Sequence, residues 1–407
     1  MNTAMLPADD TPLQVRGSNH QGMRQFNERT VLQALRLHGA TPKAELSRLT
    51  QLSKQTVSII VERLLDDDLL VKQDRIRGGI GQPSVPLALN PDGAFSVGVQ
   101  VGRRSLEVLL ADFVGHVRQH DTFHYDHPDP LVLLPRIGTM LDKLKQDWAA
   151  HWHRVVGLGL TAPLDMHQWA DVLGPDAALA LARWQGIDLR QQVQGMTDLP
   201  VVFARDTIAA CTAELLQGHG QQCANFLYVF VGTFVGGGLV LSGHLLDGPR
   251  GNAGAIGSMP LGLAGKGVAP QLLEIASGWP LERALMQRGH DPRLAMSEGI
   301  MAAEHAQDVN AWVADASEAL AMAATSATAL LDLDAVIIDG TLSPGLLKTL
   351  AEATTQGLKR HRLAGIQVPR IMLGRVGSHA RALGGALLPL HTAFFPDKDI
   401  FLKQDLA

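Results

Sequence analysis

Residues 41–84 read TPKAELSRLTQLSKQTVSIIVERLLDDDLLVKQDRIRGGIGQPS. Thr41 followed by Pro42 predicts a helix start, because a hydroxyl can cap free backbone amides and proline is tolerated at the first helical position. A second helix start is predicted at Ser53, whose hydroxyl can cap the helix that follows. Apolar residues then recur at helical spacing and predict one buried face, formed by Val57, Ile60, Val61 and Leu64. The stretch therefore predicts two consecutive helices separated by a break at residues 50–52.

The opposite face of the second helix is polar. Amide, hydroxyl and ammonium groups reach phosphates and base edges when such a helix lies in the major groove of DNA. The candidate DNA contacts on the two helices are Lys43, Ser53, Lys54, Gln55, Thr56 and Ser58. An earlier helix is predicted at residues 27–37, with Val31, Leu32 and Leu35 facing the other two. Together these features favour a three-helix unit that binds DNA.

Two short strands are predicted after the second helix, at residues 69–71 and 85–87. The tip that joins them is rich in glycine and contains Arg75, Arg77 and Gln82. Glycines let such a tip approach the DNA backbone closely, and arginines suit a narrow minor groove. A basic hairpin after a helix-turn-helix is typical of the wing of a winged-helix domain. The alternative is an ordinary helical pair with a flexible surface loop, and the third helix upstream favours DNA binding over it.

Length and composition limit what the chain can be. With 407 residues it is too long for one ordinary domain, and two or three are expected. No apolar run approaches about 20 residues and the N-terminus lacks an apolar signal core, so neither a membrane span nor export is expected. The two cysteines, Cys211 and Cys223, exclude a disulfide framework and favour the cytoplasm. The net charge is +2 over residues 1–90 and −7 over the rest, which supports DNA contact through the N-terminal part.

The rest of the chain alternates predicted strands and helices after a turn cluster at residues 90–93. The strands are predicted at 95–100, 105–112, 116–124, 155–160, 201–204, 226–231, 238–241, 335–338 and 370–373, and the main helices at 130–152, 207–216 and 380–390. Repeated strand–strand–helix units with glycine turns indicate an α/β body of two lobes separated by a cleft. The predicted domains are a flexible arm at 1–25, a winged helix-turn-helix domain at 26–90 and a body at 91–407. Its lobes are expected at roughly 91–205 with the C-terminal helix, and at 206–377.

An ordered set of motifs in this body resembles a known family. The motifs are GVQVGRR (98–104), GLGLTAP (157–163), LPVVFARDT (199–207), GNAGAIGS (251–258), AVIIDGTLS (335–343) and GSHARALGGA (377–386). Together with the winged helix they resemble the ROK family, which comprises bacterial repressors and sugar kinases with an actin-like ATPase (ribonuclease H-like) fold. The resemblance implies a sugar or sugar derivative bound in the interlobe cleft, a palindromic operator on double-stranded DNA, and a homodimer or homotetramer.

One departure from the family argues against catalysis. The family's phosphate cradle follows the first strand of the body as Asp-x-Gly-Gly-Thr, and the corresponding run here is Gln100-Val101-Gly102-Arg103-Arg104. An amide has replaced the acid, and two long cationic side chains have replaced the small residues that let phosphate approach backbone amides. We therefore expect no catalytic residues and no phosphoryl transfer. The alternative is an ATP-dependent sugar kinase that carries a DNA-binding domain.

The resemblance also implies candidate ligand contacts. Asp206 occupies the position of the family's general base, where it can accept hydrogen bonds from ligand hydroxyls or merely cap the following helix. Arg205 replaces a family asparagine, which implies either an acidic ligand, such as a sugar acid or phosphate, or a salt bridge without a ligand. Asn252 matches a retained motif position, although it can simply shape a turn. Glu274 lies one residue from a family sugar-binding glutamate, where Leu273 falls, and is equally explained as surface charge.

The family's zinc site is missing from the pattern. Its sugar-binding glutamate and zinc-binding histidine correspond to Ala255 and Ser258, and residues 265–270 contain no cysteine. We therefore expect neither a metal nor another cofactor. A loose set of histidines has no recognisable metal-site spacing and is interpreted as solvated; its members are His116, His120, His124 and His127. The sequence thus predicts a DNA-binding transcriptional regulator that senses a carbohydrate or derivative, and a regulator without a small-molecule ligand stays open.

Overall fold

The computed structural model describes residues 20–74, 85–163, 166, 175–246, 248–249, 251–262 and 268–396. The wing candidates Arg75, Arg77 and Gln82 lie outside these described residues. The chain divides into two units, one formed by residues 1–93 with 392–407 and the other by residues 94–391. None of the described helices is both long enough and apolar enough to cross a lipid bilayer.

The N-terminal unit has the predicted helix-turn-helix and hairpin. Its described helices are α1 (His20–His38), α2 (Lys43–Thr50) and α3 (Lys54–Asp66), and its strands are β1 (Thr41–Pro42), β2 (Leu70–Lys72) and β3 (Pro86–Leu89). The strands form an antiparallel sheet in the order β1-β3-β2. The apolar faces meet in one core, which includes Val31, Leu32, Leu35, Leu46, Val57, Ile60, Val61, Leu64, Leu70 and Leu87.

Two local predictions for this unit are wrong. Helix α1 begins at His20, so residues 20–25 are helical and do not belong to an arm. Gln21, Arg24 and Gln25 have good helix propensity, and an Arg24–Glu28 ion pair one turn apart supports this extension without any apolar periodicity. Thr41 does not cap α2, because it is extended in β1 and its hydroxyl donates to the carbonyl of Gly39 at 2.9 Å. Ser53 does cap α3, accepting from the amide of Thr56 at 3.1 Å.

The first lobe of the second unit is built on a mixed sheet. Its strands are β4 (Phe95–Val101), β5 (Ser105–Asp112), β6 (Val117–His124), β7 (Val155–Ala162) and β8 (Val201–Arg205), in the order β6-β5-β4-β7-β8. The β4–β5–β6 pairs are antiparallel and the β4–β7–β8 pairs are parallel. The described helices that follow these strands are α4 (Pro130–Asp147), α5 (Pro175–Ala182), α6 (Leu189–Gln194) and α7 (Asp206–Gln217).

The second lobe repeats this topology. Its strands are β9 (Phe226–Val231), β10 (Val235–Leu241), β11 (His244–Leu246), β12 (Ala335–Gly340) and β13 (Arg370–Leu373), in the order β11-β10-β9-β12-β13. Again the first three strands are antiparallel and the last two join in parallel. Its described helices are α8 (Leu272–Ala276), α9 (Trp279–Gln287), α10 (Ala306–Leu331) and α11 (Pro344–Leu358), and the last helix, α12 (Ala380–Phe394), packs against β4 and β7 of the first lobe. Repetition of one strand order gives the two-lobed body predicted from the sequence.

Two element boundaries differ from the prediction. Helix α4 ends at Asp147, five residues early, and its buried face contains Leu133, whereas Leu131 is 68% exposed. Strand β10 begins at Val235, so the glycine-rich residues 235–237, which precede the strand predicted at 238–241, are part of the strand. The glycines are needed there because β10 packs closely on α7: a Cβ at Gly238 would meet the side chain of Cys211.

Candidate functional site

The polar face predicted for DNA contact lies on the outside of α3. Lys54 and Gln55 are exposed, as is the capping residue Ser53, while Thr56 and Ser58 are half-buried. The Ser53 and Thr56 hydroxyls are hydrogen-bonded to each other at 2.8 Å, so both hold the start of the helix. Lys54 and Gln55 are therefore the side chains of this set best placed to meet another molecule.

Two further side chains of the helix-turn-helix, one on α2 and one on α3, bear on the predicted DNA contact. Lys43 on α2 forms an exposed ion pair with Glu62, the Nζ and Oε1 atoms being 3.7 Å apart. Such exposed pairs contribute little to stability, so Lys43 can exchange this partner for a phosphate. Ile59, which the sequence reasoning missed, is 51% exposed one turn after Gln55. An exposed apolar side chain in this position suits the methyl group of thymine.

A cleft of about 750 Å³ lies between the two lobes of the body. Three of the predicted ligand contacts, Arg205, Asp206 and Asn252, line it together. Glu274 is not among the described lining residues: its carboxylate accepts from the amide of Gln271 at 2.9 Å in a capping box of α8. Leu273 lines the cleft in its place. The structure thus brings three of the four candidates together and leaves Glu274 at the surface.

The altered cradle lies between β4 and β5. Gln100 is fully buried. With its side-chain amide oriented to satisfy both neighbours, the nitrogen donates to Oε1 of Glu107 at 3.3 Å and the oxygen accepts from the amide of Gly102 at 3.0 Å. The amide that replaces the family's acid is therefore used to hold the turn. Arg103 and Arg104 follow at once, and both line the cleft. These two side chains stand at the motif positions where the resemblance implies the small residues of a phosphate cradle.

Arg104 connects the lobes through a buried ion pair. Its Nη2 donates to Oε2 of Glu282 on α9 at 3.2 Å, and the hydroxyl of Thr233 donates to Oε1 of the same carboxylate at 2.7 Å. The Glu282 side chain has no solvent exposure. Burial raises the pKa of Glu282, and the bonds from Thr233 and Arg104 oppose that rise. A carboxylate held in this way depends on its arginine partner.

Arg205 and Arg381 also reach across the cleft. Arg205 donates to Oδ1 of Asn252 at 2.6 Å, which explains why these two candidate residues lie together. Arg381, at the start of α12, lies 3.5 Å from Oδ2 of Asp206 and 5.0 Å from the ring centre of Phe230 on β9. The other carboxylate oxygen of Asp206 accepts from the amide of Thr207 at 2.9 Å. Asp206 therefore has a local structural role as well as a place in the cleft.

The electrostatics of the cleft are dominated by cations. Its described lining residues include four arginines, Arg103, Arg104, Arg205 and Arg381, and Asp206 as the one carboxylate. Burial, and after it the charge of Arg104, lower the pKa of Arg103 to about 10. Bringing like charges together away from water costs free energy unless an anion joins them.

A second polar cluster lies on the sheet of the first lobe. His120 on β6 was interpreted as solvated, but its Nε2 is 3.0 Å from Oε2 of Glu107. Nδ1 of His379 is 3.7 Å from the same oxygen. Burial alone would raise the pKa of Glu107, but bonds to the two histidines and the charge of Arg381 lower it to about 2. These three side chains are the one group within the described ranges that could hold a metal ion. The nearby positive charge of Arg381 opposes a cation there, and the absence of zinc stays a prediction.

The sequence reasoning missed most of the residues that join the lobes. Arg381, Thr233 and Glu282 gave no signal of their own, although Arg381 lies inside the GSHARALGGA motif. Arg103 and Arg104 were noted only as obstacles to phosphate. One signal in the sequence could have identified the arginines of the cleft: several motif positions where the family has small or amide residues have arginine in this chain.

Comparison with known proteins agrees with this architecture. The model of the ROK family matches residues 96–391, well over half of the chain. The xylose repressor of Bacillus subtilis (strain 168) is 24% identical over 245 residues, which are 60% of this chain and 62% of that protein. The chain therefore spans about three fifths of the length of such repressors. A glucokinase of Halalkalibacterium halodurans is 28% identical over 162 residues, which are 40% of this chain and 48% of the kinase.

A solved structure shares the fold over nearly the whole chain. It is a ROK family transcriptional regulator, a homologue of the E. coli MLC protein, with a TM-score of 0.68 and 23% identity over 92% of this chain and 97% of that one. The predicted fold class is thereby confirmed. With the family match and the repeated strand order in both lobes, the chain belongs to the ROK family.

Proposed function

We propose that the protein is a DNA-binding transcriptional regulator, acting as a repressor, whose interlobe cleft binds a carbohydrate or carbohydrate derivative without phosphorylating it. The proposal is carried by two features of the same chain. Helix α3 exposes a polar face, and the cleft is lined by Arg103 and Arg104 at the motif positions of the family's phosphate cradle. The similarity to xylose repressors supports the same class of protein. We also propose that the DNA-binding domain, predicted from the sequence at residues 26–90, includes the whole of α1 from His20.

In the proposed complex, α3 lies in the major groove of the operator. Lys54 contacts a phosphate and Gln55 contacts a base edge, while Lys43, Ser53, Thr56 and Ser58 support them. Arg75, Arg77 and Gln82 are proposed to extend the contact into the adjacent minor groove. A homodimer or homotetramer would present two such helices to the two halves of a palindromic operator. We place this activity in the cytoplasm.

Three contacts make phosphoryl transfer an unsuitable function for the cleft. The Gln100 amide is used within its own lobe, the two arginines beside it occupy the cradle, and Asp206 is held by Arg381 and by a backbone amide. A general base must be able to reach the hydroxyl it deprotonates. The glucokinase relative nevertheless favours one second candidate function, an ATP-dependent sugar kinase. Nucleotide turnover over a panel of sugars, present in the native chain and lost in Asp206→Asn, would establish that function instead.

The cleft contacts suggest how a bound effector is sensed. Arg104, Arg205 and Arg381 each join the first lobe to the second, through Glu282, Asn252 and Phe230. An effector that binds these arginines differently in two interlobe arrangements shifts the balance between the arrangements.

The experiment that tests the proposal is a binding titration of the purified full chain with duplexes from its own promoter region. The titration is run at low ionic strength, with scrambled duplexes of equal length as controls, and with and without added carbohydrates. We expect tighter binding to one promoter segment than to the scrambled sequence, and a change in that affinity with one class of carbohydrate. Equal affinity for promoter and scrambled duplexes would overturn the DNA-reading part. A melting temperature unchanged by every carbohydrate would favour a regulator without a small-molecule ligand.

A further inference from the structure

Charge divides the outer face of α3 into two halves. Lys54, at the start of the helix, is exposed and positive, and the basic side chain of the second half, Arg63, is paired with Glu28 of α1. The helix ends in a run of three exposed carboxylates, Asp66, Asp67 and Asp68. The negative end of the helix dipole lies there as well. Because DNA phosphates attract the first half and repel the second, α3 suits a major groove that it enters by its first two turns.

Few side chains of these two turns can reach a base. Within residues 54–60, all of which the structure describes, the exposed side chains are those of Lys54, Gln55 and Ile59. Gln55 and Ile59 are four residues apart, so they project from the same face at a separation of about 6 Å along the helix axis. This separation is less than two base-pair steps of about 3.4 Å each. The two side chains therefore face base pairs that lie within two steps of each other.

The side chain of Ile59 limits which base pair can lie against it. It is 51% exposed and offers neither a hydrogen-bond donor nor an acceptor. A G·C pair presents acceptors and an amino group in the major groove, and these would lose water against Ile59 without gaining a partner. Thymine presents a methyl group, whose burial against an apolar side chain is favourable. Ile59 thus selects thymine by excluding the alternatives as well as by its own contact.

The side chain of Gln55 supplies the complementary polar contact. Its amide combines an acceptor with donors, and adenine presents the N6 donor and the N7 acceptor side by side in the major groove. Lys54 precedes it and carries the charge that a phosphate binds, which leaves the base contact to the neutral amide. The two side chains therefore recognise different atoms of A·T pairs, a methyl carbon and a polar edge.

We propose that α3 reads an A·T step of the operator, in which the amide of Gln55 binds the N6 and N7 edge of an adenine and Ile59 packs against the methyl group of a thymine within two base pairs of it. The inference rests on the proposed function, since it takes α3 as the helix in the major groove. It names the base pairs that this helix selects.

The test is the replacement of single base atoms in the promoter duplex that the full chain binds. Uracil replaces each thymine in turn and removes only its methyl group, and 7-deazaadenine replaces each adenine in turn and removes only the N7 acceptor. We expect uracil at one thymine of each half-site to weaken binding by about fourfold, as the loss of one buried methyl group does. We expect 7-deazaadenine at an adenine within two base pairs of it to weaken binding by about fivefold or more, because an amide donor loses its partner.

Variants assign each contact to its side chain. Ile59→Ala should lose the response to uracil and keep the response to 7-deazaadenine, and Gln55→Ala should do the reverse. Ile59→Val keeps a branched apolar side chain and should keep part of the response to uracil. The control is Leu179→Ala, which removes an exposed apolar side chain of α5 and should respond to both bases as the native chain does. Native affinity for scrambled duplexes and a native melting temperature show that a variant is folded.

The outcomes separate this inference from the proposed function. A native chain that prefers its promoter but responds to neither base, or to only one of them, remains a DNA-binding regulator and does not read the proposed step. An Ile59→Ala variant that keeps the native response to uracil overturns the methyl contact in the same way. Equal affinity of the native chain for promoter and scrambled duplexes would instead remove the regulator, and this inference with it.

Discussion

Arg104 and Glu282 are 178 residues apart in the chain, and their side chains meet at 3.2 Å with the carboxylate fully buried. The pair belongs to different lobes, so the contact exists only in an arrangement that brings the β4–β5 turn onto α9. Thr233, from the β9–β10 turn, completes the carboxylate's hydrogen bonds. The cleft is thus closed on one side by a polar contact that is strong while intact and costly to break.

The pair predicts a large and non-additive effect on stability. Arg104→Gln leaves a buried carboxylate with Thr233 alone, and we expect a loss of about 3–5 kcal/mol in the free energy of unfolding. Glu282→Gln keeps the Thr233 bond and should cost less. The double variant should lose less than the sum of the two single losses, by about 1–3 kcal/mol, because it leaves no unpaired carboxylate. Urea denaturation of the full chain measures all three, and strictly additive losses would show that the residues do not stabilise one another.

The cluster of Glu107 with His120 and His379 predicts a pH dependence. Its carboxyl pKa is lowered from 4.5 to about 2, so the folded state binds its proton less tightly than the unfolded state. The resulting stabilisation, about 3 kcal/mol, is fully present above the unfolded pKa and is lost as the pH falls towards 2. We expect the native chain to lose stability between about pH 5 and pH 3 more steeply than Glu107→Gln.

The histidine partner contributes in the opposite direction. A hydrogen bond to Glu107 raises the pKa of His379, although partial burial opposes the rise. Its contribution is therefore present below the ordinary histidine pKa and is lost as the pH rises through the raised value. Denaturation of His379→Gln at pH values on both sides of the raised histidine pKa should match the native chain at the higher values and fall below it at the lower ones. His124→Gln, on the exposed end of β6, is the control. A constant offset of His379→Gln at every pH would show that the histidine acts by packing alone.

Close packing of β7 on α12 predicts that one glycine cannot be replaced. A Cβ at Gly159 would overlap the carbonyl of Gly385, whereas a Cβ at Gly138 on α4 would meet nothing within 4 Å. We expect Gly159→Ala to lower the free energy of unfolding by about 3 kcal/mol, at the upper end of overpacking costs. Gly138→Ala should leave it unchanged or raise it by up to about 1 kcal/mol through helix propensity. Equal unfolding midpoints for the two variants would mean that the strand and helix can separate at no cost.

The sequence predicted those parts of the fold that depend on local pattern. Helix α3 was found with its cap at Ser53 because capping and apolar periodicity act within a few residues. The polar start of α1 was missed, because helix propensity without an apolar stripe gives no periodic signal. The glycine run of β10 was read as a turn, because its reason is the neighbouring α7 and not its own conformation.

The candidate site was predicted less completely than the fold. Arg205, Asp206 and Asn252 were found from motif positions, and they do lie together. Glu274 is the next residue after Leu273, which lines the cleft, but its own side chain caps α8. The motif alone could not decide which of these two neighbours faces the cleft. The interlobe partners Glu282 and Phe230 could not be predicted. Each is an ordinary residue for the helix or strand that contains it, and a single sequence does not show which distant residue it contacts.

The exposed start of α3 predicts two distinct changes in DNA binding. Lys54→Ala removes a charge that contacts phosphate, so affinity should fall for all sequences and the slope of log affinity against log salt should decrease by about 1. Gln55→Ala removes a base contact, so affinity should fall by about 1–3 kcal/mol for the operator while binding to scrambled duplexes stays the same. Salt-dependent titrations of both duplexes by each variant distinguish these effects.

Lys348→Ala, on α11 of the body, is the matched control for loss of one lysine charge and should bind as the native chain does. A third variant tests the exposed apolar side chain: Ile59→Ala should reduce discrimination at a thymine without changing the salt slope, because a methyl contact releases no counterions. If Lys54→Ala and Gln55→Ala both retain native affinity and native salt dependence on the promoter duplex, α3 does not read DNA. The reading surface would then have to lie elsewhere in the N-terminal unit.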